Sequence, residues 1–111
     1  MKTDCIFCKI IAGQIPTKPF ADYDDILVIC DIAPKAPTHL LIMPKKHIHD
    51  LASVDSVDMG LVARMMTVAQ DIAKKGLEMK SFRLMINNGA DAGQSVFHLH
   101  MHFLAGKQMS E

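Results

Sequence analysis

Nine residues near the end of the chain, Val96-Phe-His-Leu-His-Met-His-Phe-Leu104, restrict the fold more than any other stretch. Phe97, Leu99, Met101 and Phe103 are apolar, and His98, His100 and His102 alternate with them. Successive side chains of a strand point to opposite faces, with same-face neighbours roughly 6.5–7 Å apart. The pattern predicts a strand over Val96–Leu104, with one face packed into a core and the other presenting three imidazoles in a row. Groups that titrate near neutrality gain nothing for packing over Thr or Val. The row points to chemistry.

A single small domain has to bury that strand. The chain has 111 residues, enough for one core and not for two. Half of the residues are apolar and 22% are charged, a globular balance. Twelve Lys and Arg offset twelve Asp and Glu, which argues against holding DNA, RNA or anionic lipid through clustered positive charge. No apolar run approaches the ~20 residues of a membrane span. The start, Met-Lys-Thr-Asp-Cys-Ile-Phe-Cys-Lys, carries no apolar export segment, so the expected location is the cytoplasm. Three cysteines is an odd number, and a disulfide scaffold reads it poorly.

Ile6, Phe7, Ile10 and Ile11 recur at helical spacing and predict a first helix over Asp4–Ala12, capped by Asp4 and ended by Gly13. Ile26-Leu-Val-Ile-Cys30 and Leu40-Leu-Ile-Met43 are short apolar runs that read as buried strands. Between them lie Asp31 and Ala33-Pro-Lys-Ala-Pro37, whose prolines exclude regular structure. From Ser56 to Lys75, Val57, Leu61, Met65, Val68 and Ile72 form one stripe, with Val62, Ala69 and Ala73 beside it. That is an amphipathic helix of about five turns. Phe82–Asn87 alternates as a strand, and Asn88–Gly93 is a turn-rich loop. Short connections suit antiparallel pairing. The expected fold is α+β, with the helices on one face of the sheet.

Two chemistries fit the histidine row. Imidazoles are the commonest nitrogen ligands of transition metals, although a flat strand makes it hard for His98, His100 and His102 to converge on one ion. Alternatively, one imidazole is a nucleophile toward phosphorus or acyl carbon while its other ring nitrogen donates to a fixed acceptor. His100, with a neighbour on either side, is the natural choice. Asn87, Gly89, Gly93, Gln94 and Ser95 form a small polar approach whose backbone N–H groups suit an anion, or simply a loop between strands. Asp31 is either a turn-starting residue or a rim carboxylate able to accept two vicinal hydroxyls. Cys5-Ile-Phe-Cys8 supplies two of the four ligands of a structural zinc site and reads equally well as two buried thiols. Cys30 is expected to be a buried thiol.

The stretch Gln94-Ser-Val-Phe-His-Leu-His-Met-His-Phe-Leu104 resembles the signature of the histidine triad family. Ile10–Pro16, Asp31–His39, Ile42–Ile48 and Asn87–Ser95 are similar, in order and spacing, to blocks of its nucleotide-binding, purine nucleoside phosphoramidase branch. The resemblance implies one domain over residues 1–111 with an antiparallel sheet of about five strands and two helices. It also implies a homodimer joined through the Ser56–Lys75 helix and an adjacent strand. The implied activity is hydrolysis of adenosine or guanosine phosphoramidates through a nucleotidyl-histidine on His100. His102 matches the residue that contacts the α-phosphate, with Ser95 and Asn87 around the phosphate and leaving group. Gly93 and Gln94 belong to the same loop. Asp31 matches the carboxylate that takes the ribose hydroxyls, and His39 and His98 complete the catalytic set. Ile6, Phe7, Ile10, Ile29 and Ile32 match the apolar walls around the base. Hydrolysis of dinucleoside polyphosphates, or nucleotide binding without catalysis, are the neighbouring readings.

Family members that share the N-terminal cysteine pair complete a structural zinc site with the histidine after Lys-Lys and the first triad histidine. Those match His47 and His98. Cys5, Cys8, His47 and His98 would then pin the first helix to the catalytic strand and leave His100 and His102 free. His49 matches no family role and is expected at the surface. Members with a longer tail, ending in a Trp-Pro-Pro type segment, bring it near the partner's site. This sequence ends in Gln108-Met-Ser-Glu111, and the leaving group stays undefined.

Overall fold

Two apolar runs form the middle of the sheet. In the structure, a computed structural model that describes residues 4–111, they become strands β2 (Ile26–Cys30) and β3 (Thr38–Pro44). They pair antiparallel from Ile26 opposite Pro44 to Cys30 opposite Leu40. The other strands are β1 (Ala21–Asp22), β4 (Arg83–Met85) and β5 (Met101–Ala105), and the antiparallel order is β1-β2-β3-β5-β4. Helix α1 (Ile6–Ile11) precedes β1, and α2 (Met59–Asp71) lies between β3 and β4. The first three residues of the leader reading, Met1 to Thr3, lie outside the described residues.

Alternate residues of β2 and β3 enter two different cores. Ile26, Val28, Leu40 and Ile42 pack with Met65 and Val68 of α2. Leu27, Ile29, Leu41 and Met43 pack with Phe7 and Cys8 of α1. The helices therefore cover opposite faces of the sheet, not one face as expected. The runs themselves explain it: a strand covered on both sides is apolar at every position instead of every second one. Cys30, expected to be buried, is exposed at the end of β2.

Helix α1 starts later than predicted. Cys5, not Asp4, is its cap, and the Cys8 backbone N–H donates to Cys5 Sγ at 3.4 Å. Gly13 follows the helix at φ +78°, where a glycine ends helices without strain. The predicted stripe is buried at Met65, Val68 and Ala69 of α2, and at Ile72 and Ala73 in the wider π-helical turn that continues it over Ile72–Gly76. Val57, predicted on that stripe, is 88% exposed. A tight turn over Ser56–Asp58 precedes the helix, and three residues per turn carry Val57 out of phase with the buried face. Arg64 of α2 grips the β1–β2 turn, donating from Nε and Nη2 to the two oxygens of Asp25 at 2.9 and 3.1 Å.

The predicted strand over Val96–Leu104 is a strand only in its second half. Ladder pairing begins at Met101, and the chain from Val96 to His100 is irregular. The alternation still holds from His98 onward, since Leu99, Met101 and Phe103 enter the α2-side core. Phe97, expected beside them, is 38% exposed.

Candidate active site and metal centre

Phe7 of α1 packs edge-on against the histidine row, with ring centres 5.9 Å from His98 and 5.1 Å from His100. His100 and His102 are 5.2 Å apart, centre to centre. Their hydrogen-bond partners dictate the tautomers, because a carbonyl only accepts and a backbone N–H only donates. His98 Nε2 lies 2.7 Å from the Pro44 carbonyl, so Nε2 carries the proton and Nδ1 keeps its lone pair. His100 Nδ1 lies 2.7 Å from the His98 carbonyl, which places the proton on Nδ1 and the lone pair on Nε2. At the other end, the Lys35 N–H donates to His39 Nδ1 at 3.0 Å. Neutral His39 then carries its proton on Nε2, 2.8 Å from His102 Nδ1 and 3.4 Å from Asp31 Oδ2. His102 is thereby left as a donor at Nε2. A ring with a free lone pair at Nε2 stands beside a ring that donates there, as a nucleophile next to an anion-holding group requires.

These tautomers need neutral rings. Burial, above all, pushes His98 and His102 down to about 4. Repulsion from His47 and His100 adds to the shift at His98, and from His100 and His39 at His102. Burial also lowers His39, with the Asp31 carboxylate opposing it in part.

The row opens into a cleft of about 800 Å³. Ile6, Phe7, Ile10, Ile29 and Ile32 line it, as expected for an apolar wall. Asp31, Asn87, Gly93, Ser95, His100 and His102 supply its polar groups. Asp31 stands at the rim, with Oδ1 accepting the Ala33 N–H at 2.8 Å. Gly93, at φ +97°, lies so close to Asn87 that a Cβ there would be 3.4 Å from its Nδ2.

Three expected site residues do not line the cleft. His39 sits behind Asp31 and His102, and His98 turns toward the cysteines. Gln94 is buried, and its amide organises the loop: Oε1 accepts the Gly89 N–H at 2.8 Å, and Nε2 donates to the His49 and Val96 carbonyls at 3.0 and 3.1 Å. Lys35, Leu41, Met85 and Val96 line the cleft without having been anticipated. Leu41 and Met85 flank His102 across the ladder, which strand parity reveals once the pairing is known. Lys35 lies in the proline loop, where no periodic signal exists.

On the far side of His98, one ligand atom each from Cys5, Cys8, His47 and His98 lie within 4.8 Å of one another. His98 Nδ1 is 3.6 Å from both sulfurs and 3.2 Å from His47 Nδ1, and Cys8 Sγ is 3.3 Å from His47 Nδ1. Four such ligands placed tetrahedrally at zinc bond lengths are about 3.3–3.8 Å apart. The donor set fits. The Pro44 carbonyl fixes the His98 ring with its lone pair toward the sulfurs, as outer partners of metal-bound histidines do. These four residues are positioned to bind a metal ion.

Comparison with known proteins agrees with this geometry. The HIT domain matches residues 12–109. An uncharacterised HIT-like protein of Synechocystis is 40% identical over 110 residues, 99% of this chain and 96% of that protein. Protein HitA of Neisseria gonorrhoeae is 40% identical over 101 residues, 91% of this chain and 94% of that protein. A histidine triad protein from Clostridium difficile superposes with a TM-score of 0.93 at 42% identity, covering 100% of this chain and 97% of that one. A HIT family hydrolase from Legionella pneumophila gives 0.90 at 42% identity, covering 96% of both chains. The five-stranded antiparallel sheet, the two helices and the alternating histidines are those of a HIT domain, and the chain belongs to that family.

Proposed function

We propose that this chain is a hydrolase that cleaves the P–N bond of purine nucleoside 5′-phosphoramidates through a covalent nucleotide on His100. One observation carries the reading: His100 is held by its Nδ1–H on the His98 carbonyl, leaving the Nε2 lone pair beside a donating His102. The apolar wall suits a purine ring, and the rim carboxylate of Asp31 suits two vicinal hydroxyls. Likeness to a HIT family hydrolase supports the reaction class.

In the first half-reaction, Nε2 of His100 bonds to the α-phosphorus as the P–N bond breaks. The nitrogen leaves as an amine, taking a proton from solvent. His102 Nε2–H donates to a phosphoryl oxygen and offsets charge that grows there. In the second half, a water oxygen replaces the imidazole on phosphorus, its proton returns to solvent, and neutral His100 is restored. His39 and Asp31 keep the donor of His102 aimed forward.

Zinc is the ion we assign to Cys5, Cys8, His47 and His98. A closed set of four protein ligands supplies structure and no open position for catalysis. It ties α1, and with it Ile6 and Phe7, to the catalytic segment. A homodimer is supported by partly exposed Met59 and Met66 on α2 and by the open edge of β4. No helix among the described residues is long and apolar enough to cross a membrane, which is consistent with action in the cytoplasm.

The test is AMP release from adenosine 5′-phosphoramidate. His100→Ala should lower turnover on the order of 10³-fold or more while the circular dichroism spectrum stays unchanged. Turnover that survives in this variant overturns the reading. Dinucleoside polyphosphates in the same assay separate the neighbouring activity.

A further inference from the structure

We infer that Asn88 and Gln94 are a pair of positioning residues that set the gap between Asn87 and Ser95 and hold it beside His100. The inference rests on the nucleotide reading above, in which that gap receives the phosphate. Asn87, Gly93 and Ser95 line the cleft, whereas Asn88 and Gln94 do not. Residues 87–95 contribute no side chain to either core, so hydrogen bonds hold this loop in place.

Each of the two cleft residues has one chain neighbour that reaches the other way. Asn88 follows Asn87, and Gln94 precedes Ser95. Both neighbours reach the same backing segment, residues 49–52, with opposite polarity. Asn88 Oδ1 accepts the Ala52 N–H at 2.7 Å, and Gln94 Nε2 donates to the His49 carbonyl at 3.0 Å. Between these two pins the loop is closed twice. The Gly89 N–H donates to Gln94 Oε1 at 2.8 Å, and the Gln94 N–H donates to the Gly89 carbonyl at 3.1 Å. Gln94 Nε2 also donates to the Val96 carbonyl, which fixes the chain on the far side of Ser95.

The backing segment is braced and is shared with the histidine row. Asp50 Oδ1 accepts the Ser53 N–H at 2.9 Å and the Ser53 hydroxyl at 2.6 Å, which closes the short turn Leu51–Ser53. The Ile48 carbonyl accepts the Leu99 N–H at 2.7 Å, and Leu99 stands between His98 and His100. One segment therefore carries both the loop and the nucleophile, and the two pins keep them in register. Such donors stabilise a developing anion only when they are fixed before the charge arrives. Losing a pin should loosen the phosphate end of the cleft and leave the apolar base wall as it is.

The experiment compares the dissociation constants of AMP and adenosine by NMR titration, in the native protein and two variants. Asn88→Ala removes one pin and should weaken AMP by about three-fold or more. Gln94→Met keeps the volume, loses three side-chain hydrogen bonds and should weaken AMP by about ten-fold or more. Adenosine, which has no phosphate, should bind both variants within about two-fold of the native protein, a contrast that general damage to the fold would not produce. Asn88 is exposed, so Asn88→Ala keeps the test open where Gln94→Met folds poorly. AMP bound as in the native protein by either folded variant, or AMP and adenosine weakened alike, overturns the inference. A native protein that binds no AMP, or no adenosine, overturns the nucleotide reading itself, and this inference with it.

Discussion

Neutral His102 donates from Nε2 because its Nδ1 accepts the His39 Nε2–H, and the fold keeps the ring neutral. Burial and two imidazole neighbours lower its pKa to about 4, against about 6.5 in an unfolded chain. Unfolding therefore takes up a proton between those values, and stability falls as pH falls through that window. His39, lowered by burial, contributes with the same sign. Denaturation with zinc in excess, at pH values from 6.5 down to 5, should show a flatter decline for His102→Gln than for the native protein. An unchanged slope would contradict the neutral assignment. Gly93 acts through conformation. An alanine at φ +97° is strained by roughly 1–2 kcal/mol, and its Cβ would come into contact with the Asn87 side chain at 3.4 Å. Gly93→Ala should lower the melting midpoint by several degrees and raise KM more than it lowers kcat.

Helix α1 has six residues, too few to persist without tertiary support. Phe7 and Cys8 bury it against the sheet, and the Cys5–Cys8–His47–His98 cluster ties it to the chain just before β5. Cys8→Ser should abolish one bound zinc per chain, measured by elemental analysis, and lower the melting midpoint on the order of 10 °C. Full retention of zinc would show that the cysteine pair is not its anchor. Element limits were only partly legible in the sequence. The parity of His98, His100 and His102 is a side-chain pattern and survives from sequence to structure. Where pairing stops is a backbone property, so the irregular approach from Val96 to His100 left no mark on that pattern. The carbonyls of Pro44 and His98, which set two tautomers, are equally invisible in side-chain chemistry. Gln94 looked like a polar cleft residue, and nothing in its neighbours signals that its amide turns inward to hold the loop.

At the scale of the whole molecule, a sheet covered by a different helix on each face divides the work. The α2 side carries the larger core, and the α1 side carries the cleft and the metal ligands. Ile26 to Ile29 and Leu40 to Met43 already state this division, since each of those positions is buried on one face or the other. In the proposed dimer a second copy would cover the outer surface of α2 and the free edge of β4. Sedimentation equilibrium should give a dimer, and Met66→Glu, at a partly exposed position of α2, should shift it toward monomer. A native monomer at micromolar concentration would remove the dimer from the account. The central claim is the covalent nucleotide on His100. Rapid acid-free quenching of the protein with adenosine 5′-phosphoramidate, followed by intact-mass and peptide analysis, tests it most directly. The account predicts one adenylyl group per active chain on His100, formed and lost at rates that match turnover and absent from His100→Ala. Sustained turnover with no adduct, or with the adduct on another residue, would contradict it.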